Sequence, residues 1–222
     1  MFASNPAQGG YLRFSLFGFP VAIHWFFWIL ALLIGPINIA SSPTGFRILL
    51  IWIGVVFVSI LVHELGHAFA YRKYGGRPQI VLHGMGGLAM AHGHFNRKQS
   101  IVITLGGPFF GLVLGSVLWI LANWNELPQN LYIRALFVFM MQVNIFWSLL
   151  NLLPILPLDG GQLLGHIMHG RRPVLRGQIG AGCAVVVAVA LFKYSGSLFP
   201  LLLFGYLAYQ NYQVAQGARR GF

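Results

Sequence analysis

The run HELGH, His63 to His67, sets two imidazoles and a carboxylate inside the otherwise apolar stretch SILVHELGHAFAYRKYGG, residues 59–76. Four residues apart on a helix, His63 and His67 stand about 40° from each other around the axis and can grip one metal ion. Glu64 follows the first histidine, so it can reach a water at such a metal without ligating the metal itself. The spacing offers a Lewis acid and a general base together. A catalytic zinc takes three protein ligands and keeps a fourth position open. The longer pattern with a third histidine close by is missing, because Ala70 and Lys73 stand where its glycine and histidine would be. The third ligand has to come from elsewhere in the chain.

Only three acidic residues occur among 222. Besides Glu64 they are Glu126, expected in a loop most of a bilayer away from the histidines, and Asp159, expected at about their depth in NLLPILPLDGG. Elimination favours Asp159. Pro154 and Pro157 break the helix before it, and Gly160 and Gly161 permit close backbone approach. Asn151, eight residues before Asp159, either places an amide donor near the metal or makes an interhelical hydrogen bond. An ionisable group within a membrane span costs a few kcal/mol and is a functional candidate for that reason.

The elements that must hold these groups are membrane helices. The chain is 57% hydrophobic and 8% charged, against about 25% charged in soluble domains. Apolar runs of about twenty residues predict six transmembrane helices near 20–40, 46–71, 100–122, 131–153, 174–192 and 197–215. The first run continues too far for a signal peptide. The intervening segments are short, which predicts one membrane domain over 1–222 with its catalytic core at about 46–165. A net charge of +11 sits in short clusters between apolar runs and reads as a topology signal rather than a nucleic-acid surface. With the N-terminus cytoplasmic, Arg13, Arg72, Lys73, Arg77, Arg97, Lys98, Arg171, Arg172, Arg176, Arg219 and Arg220 face inward, and only Arg47, Arg134 and Lys193 face outward. Both termini are then cytoplasmic, and Glu64 lies roughly 12 Å deep, nearer the cytosol.

Between the second and third runs, RPQIVLHGMGGLAMAHGHFNRK is too polar and glycine-rich to span. Two short apolar arms around Gly84 to Gly87 predict a membrane-associated β-hairpin over 79–92. In the third run, Gly107, Gly111 and Gly115 repeat at i, i+4, i+8 and predict a close-packing seam. Cys183 is the single cysteine and excludes an intrachain disulfide. His83, His92 and His94 are expected to make interfacial hydrogen bonds rather than auxiliary metal sites; His166 and His169 are expected to be solvated or lipid-facing.

HELGH in one span, GMGG in a following hairpin, GGP in the next helix and NLLPILPLDGG at the end of another together resemble the site-2 protease family of intramembrane zinc metalloproteases. VAIHWFFW, with His24, is similar to the compact six-span subgroup, which carries neither a peptide-binding (PDZ) insertion nor an appended nucleotide-binding (CBS) domain. The resemblance covers roughly residues 15–165. It implies one zinc ion held by His63, His67 and Asp159, Glu64 as catalytic base, and Asn151 as a residue that helps hold substrate. It also implies an activity, cleavage of membrane-anchored regulators such as an anti-sigma factor or a latent transcription factor, in a prokaryotic cell membrane.

A helical substrate hides its carbonyls in i to i−4 hydrogen bonds and has to unwind. An edge of the hairpin, with Gly86 and Gly87, is expected to hold the opened strand by β-augmentation. Buried His and Asp in a bundle are also compatible with a metal transporter or a metal-binding bundle. A transporter would need further ligand layers, and His24 is the only candidate in the outer half. A catalytically silent binding protein is disfavoured by the intact Glu64.

Overall fold

The computed structural model describes residues 10–84, 86–124 and 127–220. Along them run β1 (Tyr11–Leu16), β2 (Phe19–His24), α1 (Phe26–Leu33), a 3-10 turn (Ile37–Ile39), α2 (Pro43–Lys73), β3 (Gln79–His83), β4 (Gly86–Met90), α3 (Arg97–Trp124), α4 (Leu131–Asn151), α5 (Asp159–Ile167), α6 (Pro173–Ser195) and α7 (Leu198–Arg220). The protein is mostly helical with one small sheet. The stretches Pro43–Lys73, Arg97–Trp124, Leu131–Asn151 and Pro173–Tyr194 are long and apolar enough to cross a membrane.

The expected helix over 20–40 is replaced by β2, the short α1 and the 3-10 turn. Phe19, Val21 and Ile23 are buried while the residues between them are more exposed, the period-two pattern of a strand packed on one face. Phe17 and Gly18, both at positive φ, form a two-residue turn that returns β1 onto β2. The expected run 197–215 is helical as part of α7. It falls outside the four apolar helices because Gln210, Asn211 and Gln213 dilute it. Glu126, assigned above to an outer loop, lies outside the described residues, as does Met85 of GMGG.

One compact unit comprises the described residues up to His94 together with Phe109–Ser148. Its sheet has the order β1-β2-β3-β4, with β2 and β3 parallel and the outer pairs antiparallel. The two arms expected around Gly84 to Gly87 are therefore half of a larger sheet. Val21 registers with Ile80 and Ile23 with Leu82. These side chains join Phe27, Val56, Ile60, Leu65, Ala68 and Ala89 in a core that seats α2 on the sheet.

Ser42 starts α2 by accepting a hydrogen bond from the Gly45 amide at 3.0 Å, with Pro43 in the first turn. At the other end Arg72 lies 4.4 Å above the Phe19 ring and donates to the Phe17 carbonyl at 2.9 Å, tying the helix to the β1–β2 turn. Gly111 and Gly115 of α3 face Ser148 and Ile145 of α4, where a Cβ would collide. Asn144 of α4 donates to Ser59 of α2 at 2.9 Å. Small residues thus bring α3 against α4, and an amide ties α4 to α2.

The second unit comprises Phe95–Pro108 and the described residues from Leu149 onward. Its core joins Ile155 to Ala184, Ala188, Phe204, Leu207 and Ala208, and α6 and α7 form an antiparallel pair. Arg97 closes the C-terminal end of α5: it donates to the carbonyls of His166 at 2.9 Å and Ile167 at 3.0 Å, and contacts the His169 ring at 2.8 Å. A cation among the last carbonyls of a helix satisfies groups the helix itself leaves open.

Candidate metal centre

His63 and His67 fall on the α2 face that the core covers, and both are buried. Their rings stand edge to face, 4.9 Å between centroids, with the two Nε2 atoms 3.3 Å apart. Two nitrogens each bound to a tetrahedral zinc at about 2.0–2.1 Å stand about 3.3–3.4 Å apart, so the imidazoles already hold the separation such an ion requires. Asp159, buried in the first turn of α5, completes a group that could hold a metal ion. Its three members each offer one ligand atom, and these atoms lie within 4.8 Å of one another.

Local sequence explains how Asp159 is presented. α4 ends at Asn151, and prolines at 154 and 157 prevent the helix from continuing. The chain turns through 152–158 and restarts as α5 at Asp159. A Cβ on Gly160 would strike the Leu152 and Leu153 carbonyls, and one on Gly161 would strike the backbone of Ile155 and Leu156. Only glycines let the first turn of α5 lie on that backbone.

Glu64 is buried, 4% exposed, and its carboxyl end rests against Gly87 of β4, where a Cβ would overlap Cγ, Cδ and Oε1. Gly86 takes φ +117°, which L residues rarely adopt, beneath the Trp147 ring. Asn151 is buried at the end of α4.

The other histidines stand apart from this group. His24 Nδ1 accepts the Phe26 amide at 3.3 Å at the start of α1, and its ring meets Tyr11 edge-on at 4.8 Å. His83 lies one strand over, and burial first, then the neighbouring His24, push its pKa below the ordinary 6.5. His92 and His94 are exposed. Burial and then Arg176 lower the pKa of His166, and His169 is an exposed partner of Arg97.

Sequence reasoning missed Ser59, Asn144 and Asn211, all buried amides or hydroxyls. A single amide such as Asn211 in YLAYQNYQ looks like its exposed glutamine neighbours until helix phase is known. Gly87, expected at the substrate strand, also meets Glu64, a contact that residue spacing does not reveal.

The fold and site define a helical membrane protein with an internal His-His-Asp group suited to a metal. Residues 122–193 match the model of peptidase family M50. Among curated proteins, the chain is 27% identical over 203 residues to a zinc metalloprotease of Methanocaldococcus jannaschii, covering 83% of this chain and 58% of that protein. It is 32% identical over 156 residues to stage IV sporulation protein FB of Bacillus subtilis, covering 69% and 49%. The solved site-2 protease from Methanocaldococcus jannaschii superposes with a TM-score of 0.61 at 25% identity, over 93% of this chain and 94% of that one. Residues 122–193 thus carry the likeness to peptidase family M50, the chain as a whole is similar in fold to a site-2 protease, and its long apolar helices make it an integral membrane protein. It spans about half the length of the curated relatives it matches.

Proposed function

We propose that this chain is an intramembrane zinc metalloprotease, a single membrane-embedded catalytic domain with its core at about 46–165, which hydrolyses peptide bonds in or beside the transmembrane segments of membrane-anchored proteins. The observation that carries this reading is the pair of buried imidazoles whose Nε2 atoms stand 3.3 Å apart, with Glu64 next in sequence and lodged against β4.

His63, His67 and Asp159 would hold the ion. Zinc held there supplies a Lewis acid for the scissile carbonyl and brings the pKa of water down toward about 7. Glu64 takes the proton from the attacking water and passes it to the leaving nitrogen. Asn151 offers its amide to the substrate. β4 is the last strand in the sheet order, so its outer edge can accept an unwound substrate segment by strand addition. Gly86 and Gly87 keep that edge free of side chains next to Glu64. Gly87 thereby sets both the position of the base and the approach of the substrate backbone.

Six crossings are proposed, with α7 the last. The first rests on a length argument within the sheet unit. β2 and β3 are parallel neighbours, and the chain between them climbs away and returns through α2, whose 31 residues measure about 46 Å. Residues 25–42 therefore have to rise as far as α2 descends, although they are only partly helical. The excess of Arg and Lys on one set of connections puts the sheet, the termini and the nearer approach to Glu64 on the cytoplasmic side, with the β3–β4 pair at the membrane face.

The test uses the detergent-purified chain and a single-span substrate. Glu64→Gln is expected to keep one zinc per chain by elemental analysis and to lose about 100- to 10,000-fold in cleavage rate. Asp159→Ala is expected to lose zinc itself. Undiminished cleavage by Glu64→Gln rejects the mechanism. A metal transporter would need successive ligand layers, and among the described residues no second group of three metal-binding side chains occurs.

A further inference from the structure

We infer that Asn211, on α7, is a positioning residue for the metal ligand Asp159, acting through the backbone of Leu156. This inference rests on the metal centre proposed above. Asn211 is fully buried and lies 52 positions beyond Asp159 in the sequence. Its Oδ1 accepts the Leu156 amide at 3.0 Å, and its Nδ2 donates to the Leu156 carbonyl at 2.8 Å and to the Leu207 carbonyl at 2.8 Å. The carboxamide thus pairs with both backbone groups of one residue, as a neighbouring strand would.

Leu156 needs such a partner. It stands between Ile155 and Pro157 in a turn that belongs to neither α4 nor α5, and the prolines at 154 and 157 have no amide hydrogen to share. Ile155 satisfies its own amide on the Leu153 carbonyl at 2.7 Å. Leu156 is half-buried, and an amide or carbonyl shielded from water without a partner is costly, so the Asn211 carboxamide fixes where this turn can sit.

The turn in turn fixes Asp159. Gly161 packs its Cα on the backbone of Ile155 and Leu156, and Gly160 packs on the Leu152 and Leu153 carbonyls, with no side chain to cushion either contact. A shift of Leu156 is therefore transmitted to the first turn of α5, which carries Asp159. Asn211 is admitted to this place by α6: a Cβ on Gly180 would overlap the Asn211 carboxamide, and one on Gly177 would press on the Asn211 carbonyl and Ala215. Two glycines of α6, one amide of α7 and two glycines of α5 act on the same short turn.

Groups that orient a metal ligand typically account for about 10- to 100-fold in metal affinity. In the detergent-purified full chain, Asn211→Leu is expected to bind zinc that much more weakly in competition with a chromophoric chelator. The visible spectrum of its cobalt form is expected to shift. Gly180→Ala, which leaves Asn211 in place but displaces its carboxamide, is expected to move both readouts in the same direction. Asn211→Asp keeps an acceptor for the Leu156 amide and covers the case in which the leucine variant does not fold; it is expected to fall between wild type and Gly180→Ala. Ala188→Gly, which weakens α6 in the buried cluster without touching Leu156 or Asn211, is expected to lower thermal stability and leave zinc affinity unchanged.

Wild-type affinity and an unchanged cobalt spectrum in Gly180→Ala and Asn211→Asp overturn the inference. So does an equal loss of affinity in Ala188→Gly. Failure of the underlying centre looks different: Asp159→Ala then binds zinc as tightly as the wild type, whatever the Asn211 variants do.

Discussion

Gly87→Ala is a sharp probe at the scale of single residues, because the atoms its methyl would meet belong to the flexible end of Glu64 rather than to backbone. Glu64, the proposed base, can swing away at small cost to the fold, so the variant is expected to bind zinc normally and to melt near the wild-type temperature. Displacing a reacting group by about 1 Å can cost about 100-fold in rate, and a loss of that order in kcat is the expected result. Wild-type turnover would remove Gly87 from the account of the base. HELGH and the solitary Asp159 stand out in the sequence as the proposed site because helix spacing and the scarcity of acids leave few alternatives. The Glu64–Gly87 contact does not, since it depends on which strand α2 lies against, and one-dimensional spacing holds no record of that.

At the scale of elements, the α3–α4 seam and the sheet each carry a consequence. A valine at Gly115 would collide with the side chain and backbone of Ile145. Overpacking of this kind costs about 1–3 kcal/mol, which a denaturant titration in detergent should register for Gly115→Val. The sheet should be pH-sensitive. Its His83 is held below the ordinary 6.5 by burial and by His24, so the folded chain binds fewer protons than the unfolded chain between the lowered pKa and 6.5. The contribution is complete above 6.5 and is lost as the pH falls below it. Unfolding midpoints should decline on that side, and His83→Gln should flatten the decline. The glycine spacing of α3 announced its seam plainly. β1 and β2 left a signal too, with Leu12, Phe14 and Leu16 alternating before the Phe17–Gly18 turn and Phe19, Val21 and Ile23 after it. An apolar run that begins as a strand and ends as a short helix matches the hydropathy of a membrane span, and the longer period masked the shorter one.

For the whole molecule, the proposed topology places the connection before α3 on the cytoplasmic side and the connection before α4 outside. In sealed vesicles of a Cys183→Ser background, an impermeant thiol reagent should reach His92→Cys only from the cytoplasmic face and Gln129→Cys only from the opposite one. Labelling of both from one face would reject six crossings. What the sequence determined by itself was the solvent, from composition; it also set out the chemistry proposed here, from two histidines and a glutamate at helical spacing, and the proposed third ligand, because only three acids exist to choose from. These follow from local geometry and from counting, which need no knowledge of neighbours. Only the tertiary structure decided that α2 seats on a four-stranded sheet, that Glu64 fits because Gly87 has no side chain, and that an amide on α7 holds the turn before Asp159. Each of those depends on the rotational phase of one element against another far away in the chain, a quantity set by packing of whole surfaces rather than by any run of residues.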